Sequence, residues 1–497
     1  MRLLPVFLIS LKAFAAPLPQ EISRLLNSST VARNSFWGIQ IVDLETGKTL
    51  YELNQNKFFV PASNAKLFST SLALNRLGPD FKFQTRVMAD EAPNAQGVIH
   101  GPVRLVGGGD PNLSARAIPY RKGPVTGNPL APLEELADQM VARGVTTIEG
   151  GITGDDTWYV WEPYAQGWAI DDPQFEYGAP VSALTINDNA FTLTVKPGAH
   201  EGDLARLTLN PAIDYYQIEN RIRTVASGTA RKISVERVPG EFELRLWGTI
   251  ALGDRGQSLS LGLEDPARYA ANAFRLALED RGVVVKGGVT VRHLFPGDLL
   301  DAAPDLTSAR APEEISGFEL ARRESSPLFE DLRITDKVSQ NLHAELALLA
   351  VGRARRNIGS REAGLDELKS FLAEAGIDEH AYSLRDGSGL SRLDLVTPET
   401  VVKLLRRMYA SPLRESWIQL LPVGGEDGNL SSRFAGGPAA GRVHAKTGSV
   451  SHVNTLSGYV QRKSGGWAAF SILVNNSNGS SNEVRSVIDK ICTLMVE

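Results

Sequence analysis

The stretch VPASNAKLFS, residues 60–69, sets Ser63 and Lys66 three positions apart, just behind Pro61. Leu67, Phe68, Leu72 and Leu77 follow at helical spacing and Gly78-Pro79 ends the run, so the pair stands at the mouth of a helix. Residues three apart on a helix share a face, which brings the lysine amine to the serine hydroxyl. A serine attacks at neutral pH only beside a base, and a desolvated lysine serves as one when neutral. The helix N-terminus adds backbone donors and positive potential where an oxyanion would form. Alone the pattern is weak, because Ser-x-x-Lys arises about once by chance in a chain of this composition.

Two further patterns share the order and setting that such a site needs. Ser339-Gln340-Asn341 lies in DKVSQNLHAELALL (336–349), ahead of the apolar run Leu342, Leu346, Leu349. By itself Ser339 reads equally as a helix N-cap. HAKTGSV (444–450) reads as a strand carrying Lys446, Thr447, Gly448 and Ser449. A glycine within a strand marks a place where another backbone or a ligand comes close; the plain alternative is an edge lysine beside a bulge. Ser-x-x-Lys, Ser-x-Asn and Lys-Thr-Gly in that order are the signature of penicillin-binding proteins and class A β-lactamases.

The chain resembles the D-alanyl-D-alanine carboxypeptidases of the class C low-molecular-mass penicillin-binding proteins, serine peptidase family S13. More than 270 positions separate Lys66 from Ser339, a gap that resembles this family, with its inserted domains, and not the simpler relatives. VGGGDPNL (106–113), GDDTWY (154–159), YGAPVSALTINDN (177–189), DGSGLSR (386–392) and LPVGGEDGNL (421–430) are similar to family stretches as well. Gln340 departs from the aspartate common there.

The resemblance implies roles. Ser63 is the nucleophile on the penultimate D-Ala of a peptidoglycan stem peptide, and Lys66 its general base. Ser339 passes a proton to the departing D-Ala, and Asn341 holds substrate and Lys66. Lys446 supplies positive potential, Thr447 meets the substrate carboxylate, and the N–H groups of Ser63 and Ser449 form the oxyanion hole beside Gly448. Ser388, Leu390 and Arg392 line the cleft. Asp156, with Asp155 beside it, is expected to grip the free amine of a diaminopimelate side chain; the alternative is a turn with two solvated carboxylates. The same nucleophile would serve an endopeptidase acting on D-Ala–diaminopimelate crosslinks. β-Lactam antibiotics would be covalent inhibitors, and no metal or cofactor is implied. A serine β-lactamase and a cell-wall binding protein without catalysis are the competing readings.

The implied fold is α+β: a β-lactamase/transpeptidase-like domain with an antiparallel five-stranded sheet, built from both chain ends (17–82 and 323–497). Strand-like runs at WGIQIVDLETGKTLYELN (37–54), 442–450, 455–463 and 467–476 would supply the sheet, and 481–496 a closing helix. Residues 83–322 read as β-rich insert domains with helices near 131–143 and 266–282. Residues 1–16 read as a signal peptide, with Arg2, an apolar run and the A-x-A site at 13–15, which places the protein in the periplasm or cell-wall space.

The remaining features exclude more than they assign. At 497 residues, 42% hydrophobic and net charge −5, the chain is globular and carries no basic run for nucleic acid. No stretch reaches the ~18 apolar residues of a membrane span. Cys492, the only cysteine, sits in an apolar run and reads as core. His444 and His452 flank the Lys446 strand, and a Ser-His-Asp triad would need one of them; packing or rim roles are expected.

Overall fold

The computed structural model describes residues 17–300, 305–311 and 315–497. The segment read as a signal peptide lies outside them. Five strands form one antiparallel sheet in the order Val443–Val450, Val453–Gln461, Trp467–Asn475, Phe36–Asp43, Thr49–Leu53. The two chain ends meet at its centre, where Phe36–Asp43 pairs along its whole length with Trp467–Asn475. The middle C-terminal strand begins at Val453, two residues before the expected start. A two-residue turn, Ser451-His452, with His452 at φ 64°, closes that hairpin and lets pairing begin at once.

Each face of the sheet buries its own core. On one side Ile39, Ile41, Leu456, Phe470 and Ile472 pack against Ile22 of the helix Leu18–Ser28 and against Ile488, Ile491 and Cys492 of the helix Ser481–Val496. Cys492 is fully buried there, as expected. That last helix starts on a capping box, with the Ser480 and Glu483 side chains each bonding the other's backbone N–H. On the other side Val42, Leu473 and Tyr459 pack against the helices Lys66–Leu77, Leu328–Val338, Asn341–Arg356 and Pro398–Tyr409.

Residues 84–324 carry a second five-stranded sheet of mixed direction, in the order Val289–Leu294, Ile152–Val160, Val103–Val106, Gln84–Ala89, Phe318–Glu324. The helices Ala131–Ala142 and Pro266–Glu279 pack against it, close to their expected spans. Smaller three-stranded sheets, including one formed by Gln217–Val225, Lys232–Glu236 and Glu243–Ala251, complete this β-rich part. Its first and last strands, Gln84–Ala89 and Phe318–Glu324, pair antiparallel. The chain thus leaves and re-enters at neighbouring points, so some 240 residues can be carried without pulling the two halves of the first sheet apart.

Candidate active site

Ser63 lies on a single 3-10 turn, Ala62–Ala65, that runs directly into the helix Lys66–Leu77. The strand Val443–Val450 presses against this turn. A Cβ on Gly448 would sit 2.2 Å from Thr455 Oγ1, 2.9 Å from the Pro61 carbonyl oxygen and 3.0 Å from the Ser63 nitrogen. The close backbone approach expected of a strand glycine is the approach of the serine turn itself. Asn64 locks the contact: its amide donates to the Lys446 carbonyl at 2.8 Å, and Ser457 donates to its Oδ1 at 2.7 Å.

The Lys66 amine is fully buried and touches three oxygens: Ser63 Oγ at 2.9 Å, Asn341 Oδ1 at 2.6 Å and the Ser388 carbonyl at 2.7 Å. A carbonyl oxygen only accepts, and Asn341 is turned oxygen-first because its Nδ2 donates to the Tyr177 carbonyl at 2.7 Å. A neutral amine therefore gives both its hydrogens to these two oxygens and is left with a lone pair facing the Ser63 hydroxyl. Burial, and next the charge of Lys446, hold the Lys66 pKa well below the usual lysine value.

Ser339 is the first residue of a two-residue helix–helix elbow. It has left-handed φ of 67° after the helix Leu328–Val338, and the cap of the next helix is Gln340, whose Oε1 accepts from Leu342 N at 2.9 Å. The capping reading of Ser339 thus belongs to its neighbour. Its own hydroxyl accepts from Lys446 Nζ at 2.8 Å, and Lys446 also donates to the Thr447 carbonyl at 2.9 Å. Lys446 too is buried, and desolvation pulls its pKa down while Asp336 pulls it up.

Asp336 is a residue the sequence reading missed. It sits three positions before Ser339, fully buried, with Thr70 donating to Oδ2 at 3.2 Å and, among the described residues, no hydrogen bond to Oδ1. Burial raises its pKa, opposed first by the charge of Lys446 and then by those of Lys66 and Lys337. An isolated aspartate carries no sequence pattern. Only its place one helical turn ahead of Ser339 hinted at it.

DGSGLSR closes the site from the side. Asp386 accepts from the N–H groups of Gly389 at 2.7 Å and Ser391 at 2.8 Å, and Glu345 accepts from Gly387 and Ser388 N–H, each at 2.9 Å. Gly389, at φ 79°, lies so near the serine turn that a Cβ would be 1.9 Å from the Ala62 carbonyl. Ser388 reaches the site through its carbonyl; its hydroxyl is buried against Asp386.

Two cavities open on Ser63. One, about 360 Å³, is lined by Ser63, Ser339, Thr447, Gly448, Ser449, Asn429, Arg433, Asn454, Thr455 and Arg485. The other, about 260 Å³, is lined by Ser63, Asn341, Leu390, Arg392, Ser449, Asp172 and Tyr177, with Gly389, Val450 and Ser451. Asp155 and Asp156 line neither. They lie in the strand Ile152–Val160, each 1% exposed, so the turn reading fails too. Asp155 faces Arg104 and Arg292 at 3.6 and 3.4 Å; Asp156 accepts from Ser182 and contacts His293, each at 2.8 Å. The acidic side chain at the cleft is Asp172, on a short turn after Trp168 that sequence periodicity does not reveal.

The two histidines that flank the Lys446 strand take packing and rim roles. His444 lies against Trp467 with ring centroids 5.3 Å apart, and His452 contacts the Ser477 carbonyl at 2.9 Å.

The family model for "D-Ala-D-Ala carboxypeptidase 3 (S13) family" matches residues 18–495. The chain belongs to that family. It is a serine peptidase with a β-lactamase/transpeptidase-like fold. A D-alanyl-D-alanine carboxypeptidase of Actinomadura sp. (strain R39) is 36% identical over 475 residues, covering 93% of this chain and 81% of that protein. Penicillin binding protein 4 (dacB) of Haemophilus influenzae has the same fold, with TM-score 0.80, 22% identity, and 95% and 97% of the two chains covered. A second structure of that Haemophilus protein, complexed with a novel β-lactam, aligns with TM-score 0.75, 22% identity and 95% and 98% coverage.

Proposed function

We propose that this peptidase removes the terminal D-Ala from peptidoglycan stem peptides through an acyl-enzyme on Ser63. Ser63 Oγ attacks the penultimate D-Ala carbonyl as Lys66 takes its proton. The N–H groups of Ser63 and Ser449 receive the oxyanion, an interaction of about 3 kcal/mol per donor in serine enzymes. Ser339, held by Lys446, hands a proton to the departing amine, and Thr447 meets the carboxylate. Water then hydrolyses the ester. The observation that carries this is the Lys66 amine, fixed by Asn341 and Ser388 with its third contact on Ser63.

The acyl side of the substrate lies in the cavity of Leu390, Arg392, Asp172 and Tyr177. Asp172 takes over the amine-gripping role first assigned to Asp155 and Asp156, because it lines the cleft and they do not. Residues 17–82 and 323–497 form the catalytic unit and 83–322 the insert, a division supported by the paired strands at its two ends. A periplasmic or cell-wall location fits the substrate, and among the described residues no helix is long and apolar enough to cross a membrane. β-Lactams acylate Ser63, a reading supported by the β-lactam complex of the Haemophilus protein.

Purified protein given a stem pentapeptide should release one D-Ala, and intact mass after penicillin should show one adduct on the Ser63 peptide. Ser63→Ala should lose both. Hydrolysis surviving in that variant, or rapid penicillin turnover with no lasting adduct, would overturn the assignment, the latter in favour of a β-lactamase.

A further inference from the structure

The cavity around Ser339 and Thr447 continues outward. Asn429, Arg433 and Arg485 line both it and an open groove of about 490 Å³ that runs along the first turns of the helix Ser481–Val496 past Asn482, Ser486, Asp489 and Lys490. No acidic side chain lines the inner cavity, and Asp489 alone does so in the groove. That carboxylate is engaged: Arg433 Nε reaches its two oxygens at 3.0 and 3.3 Å, and Arg433 Nη2 contacts Oδ1 as well.

Arg485 is left in excess. Its half-buried guanidinium makes no hydrogen bond and no ion pair among the described residues. Burial and the charge of Arg433 act against its cationic form, and Asp489 supports it from a distance. Deeper in the same cavity Asn454 is 4% exposed, and its Oδ1, an acceptor, has no hydrogen-bond partner among the described residues. Lys446 cannot serve an incoming anion in place of Arg485, because it is fully buried and turned to Ser339 and the Thr447 carbonyl. The wall on the Ser339 side thus offers a free guanidinium for a carboxylate and an unpaired amide oxygen for a peptide N–H, with a channel leading past them.

We propose that Arg485, backed by Arg433, forms an anion subsite for the departing half of the substrate, and that its ligand is the acidic acceptor peptide of a crosslink. This rests on the peptidase reading above, in which Ser339 and Thr447 mark the leaving-group side. A lone D-Ala brings one carboxylate, which Thr447 and Ser449 can meet beside Ser63. An acceptor stem brings further carboxylates on a chain too long for the inner cavity, and the groove with Arg485 and Lys490 at its edges accommodates both length and charge. Arg485 is then a specificity residue that separates crosslink cleavage from simple trimming.

The test compares Arg485→Ala, Arg485→Lys and wild type on a crosslinked muropeptide dimer, a stem pentapeptide and an acyl-D-Ala thioester with an uncharged leaving group. Removing a charge-assisted hydrogen bond from a partly buried site should lower kcat/KM for the dimer about tenfold or more. The losses on the pentapeptide and thioester should be smaller, so the dimer-to-thioester ratio falls, Arg485→Lys recovers part of it, and 0.5 M salt erodes the wild-type ratio. An equal loss on all three substrates, no loss on the dimer, or a wild type that trims pentapeptide but leaves dimers intact would overturn the subsite and leave the carboxypeptidase reading standing. A wild type that releases no D-Ala from pentapeptide would instead remove the parent reading.

Discussion

The Lys446 ammonium lies 2.8 Å from Ser339 Oγ, although the two residues are 107 positions apart in the chain. That bond divides the labour between two buried lysines. One holds a serine hydroxyl as a cation and the other faces the nucleophile as a neutral base. The first helps set the second, since the positive charge of Lys446 is the next cause, after burial, of the low pKa of Lys66.

Acylation should therefore rise with pH along a limb that reports loss of a proton from Lys66, and the midpoint should fall far below an ordinary lysine. In Lys446→Gln the repulsion is gone, so Lys66 holds its proton more tightly and the limb should move to higher pH. Stopped-flow acylation by a chromogenic β-lactam between pH 4 and 10 measures it. A limb that stays in place would mean another group is the base.

Asp336→Asn tests the opposite sign. The Asp336 charge raises the pKa of Lys446 and, more weakly, that of Lys66. Neutralising it should shift both the acid limb of acylation and its alkaline limb to lower pH. The asparagine is close in shape and can keep the contact with Thr70, so melting should change little while the profile moves. Identical limbs in variant and wild type would show that Asp336 is already protonated in the working enzyme.

Most of this pocket was legible because its residues come in patterns. Ser63, Lys66, Ser339, Asn341 and Lys446 lie on motifs whose spacing is dictated by one helix turn or one strand, and they converge. The five-stranded sheet was legible for the same reason: its strands and its end helix have clean apolar periodicity. Asp155 and Asp156 misled because two adjacent carboxylates after a glycine resemble a solvated turn or a ligand site. In the fold they are strand residues whose charges meet Arg104, Arg292 and His293 inside the insert. Asp172, Asp336 and Arg485 were silent because each acts through tertiary placement, on elements that converge only after folding.

Gly448→Ala should cost far more than a methyl group suggests. The added carbon would overlap Thr455 Oγ1 at 2.2 Å and press on the Pro61 carbonyl and Ser63 nitrogen. The strand and the serine turn would have to separate, which displaces the oxyanion donors together. β-Lactam acylation should fall by about two orders of magnitude or more, the scale of losing one such donor. Circular dichroism should show the fold retained. Acylation within a few-fold of wild type would mean that the strand position is not critical.

His343 makes the last prediction, and it concerns stability. Fully buried on the helix that begins at Asn341, it stands between Asp331, 2.7 Å from Nδ1 but off the line of a straight hydrogen bond, and Asp188, 3.1 Å from Nε2. Asp188 also pairs with Arg116, and Asn112 donates to Asp331 at 2.9 Å, so one imidazolium ties 106–113 and 177–189 to the two helices around Ser339. Burial disfavours its charge, yet the carboxylates outweigh it and raise the pKa to about 9. A raised pKa means that this stabilisation is complete below the unfolded value of about 6.5 and is lost as pH climbs through about 9. The swing is roughly 3 kcal/mol. Urea unfolding at pH 6 and pH 9.5 should show wild type losing stability over that range. His343→Gln should be less stable at pH 6 and should lose much less of its stability on going to pH 9.5. If the two proteins respond to pH alike, the imidazole is neutral in the fold and the Asn112–Asp331 bond holds the junction without an imidazolium.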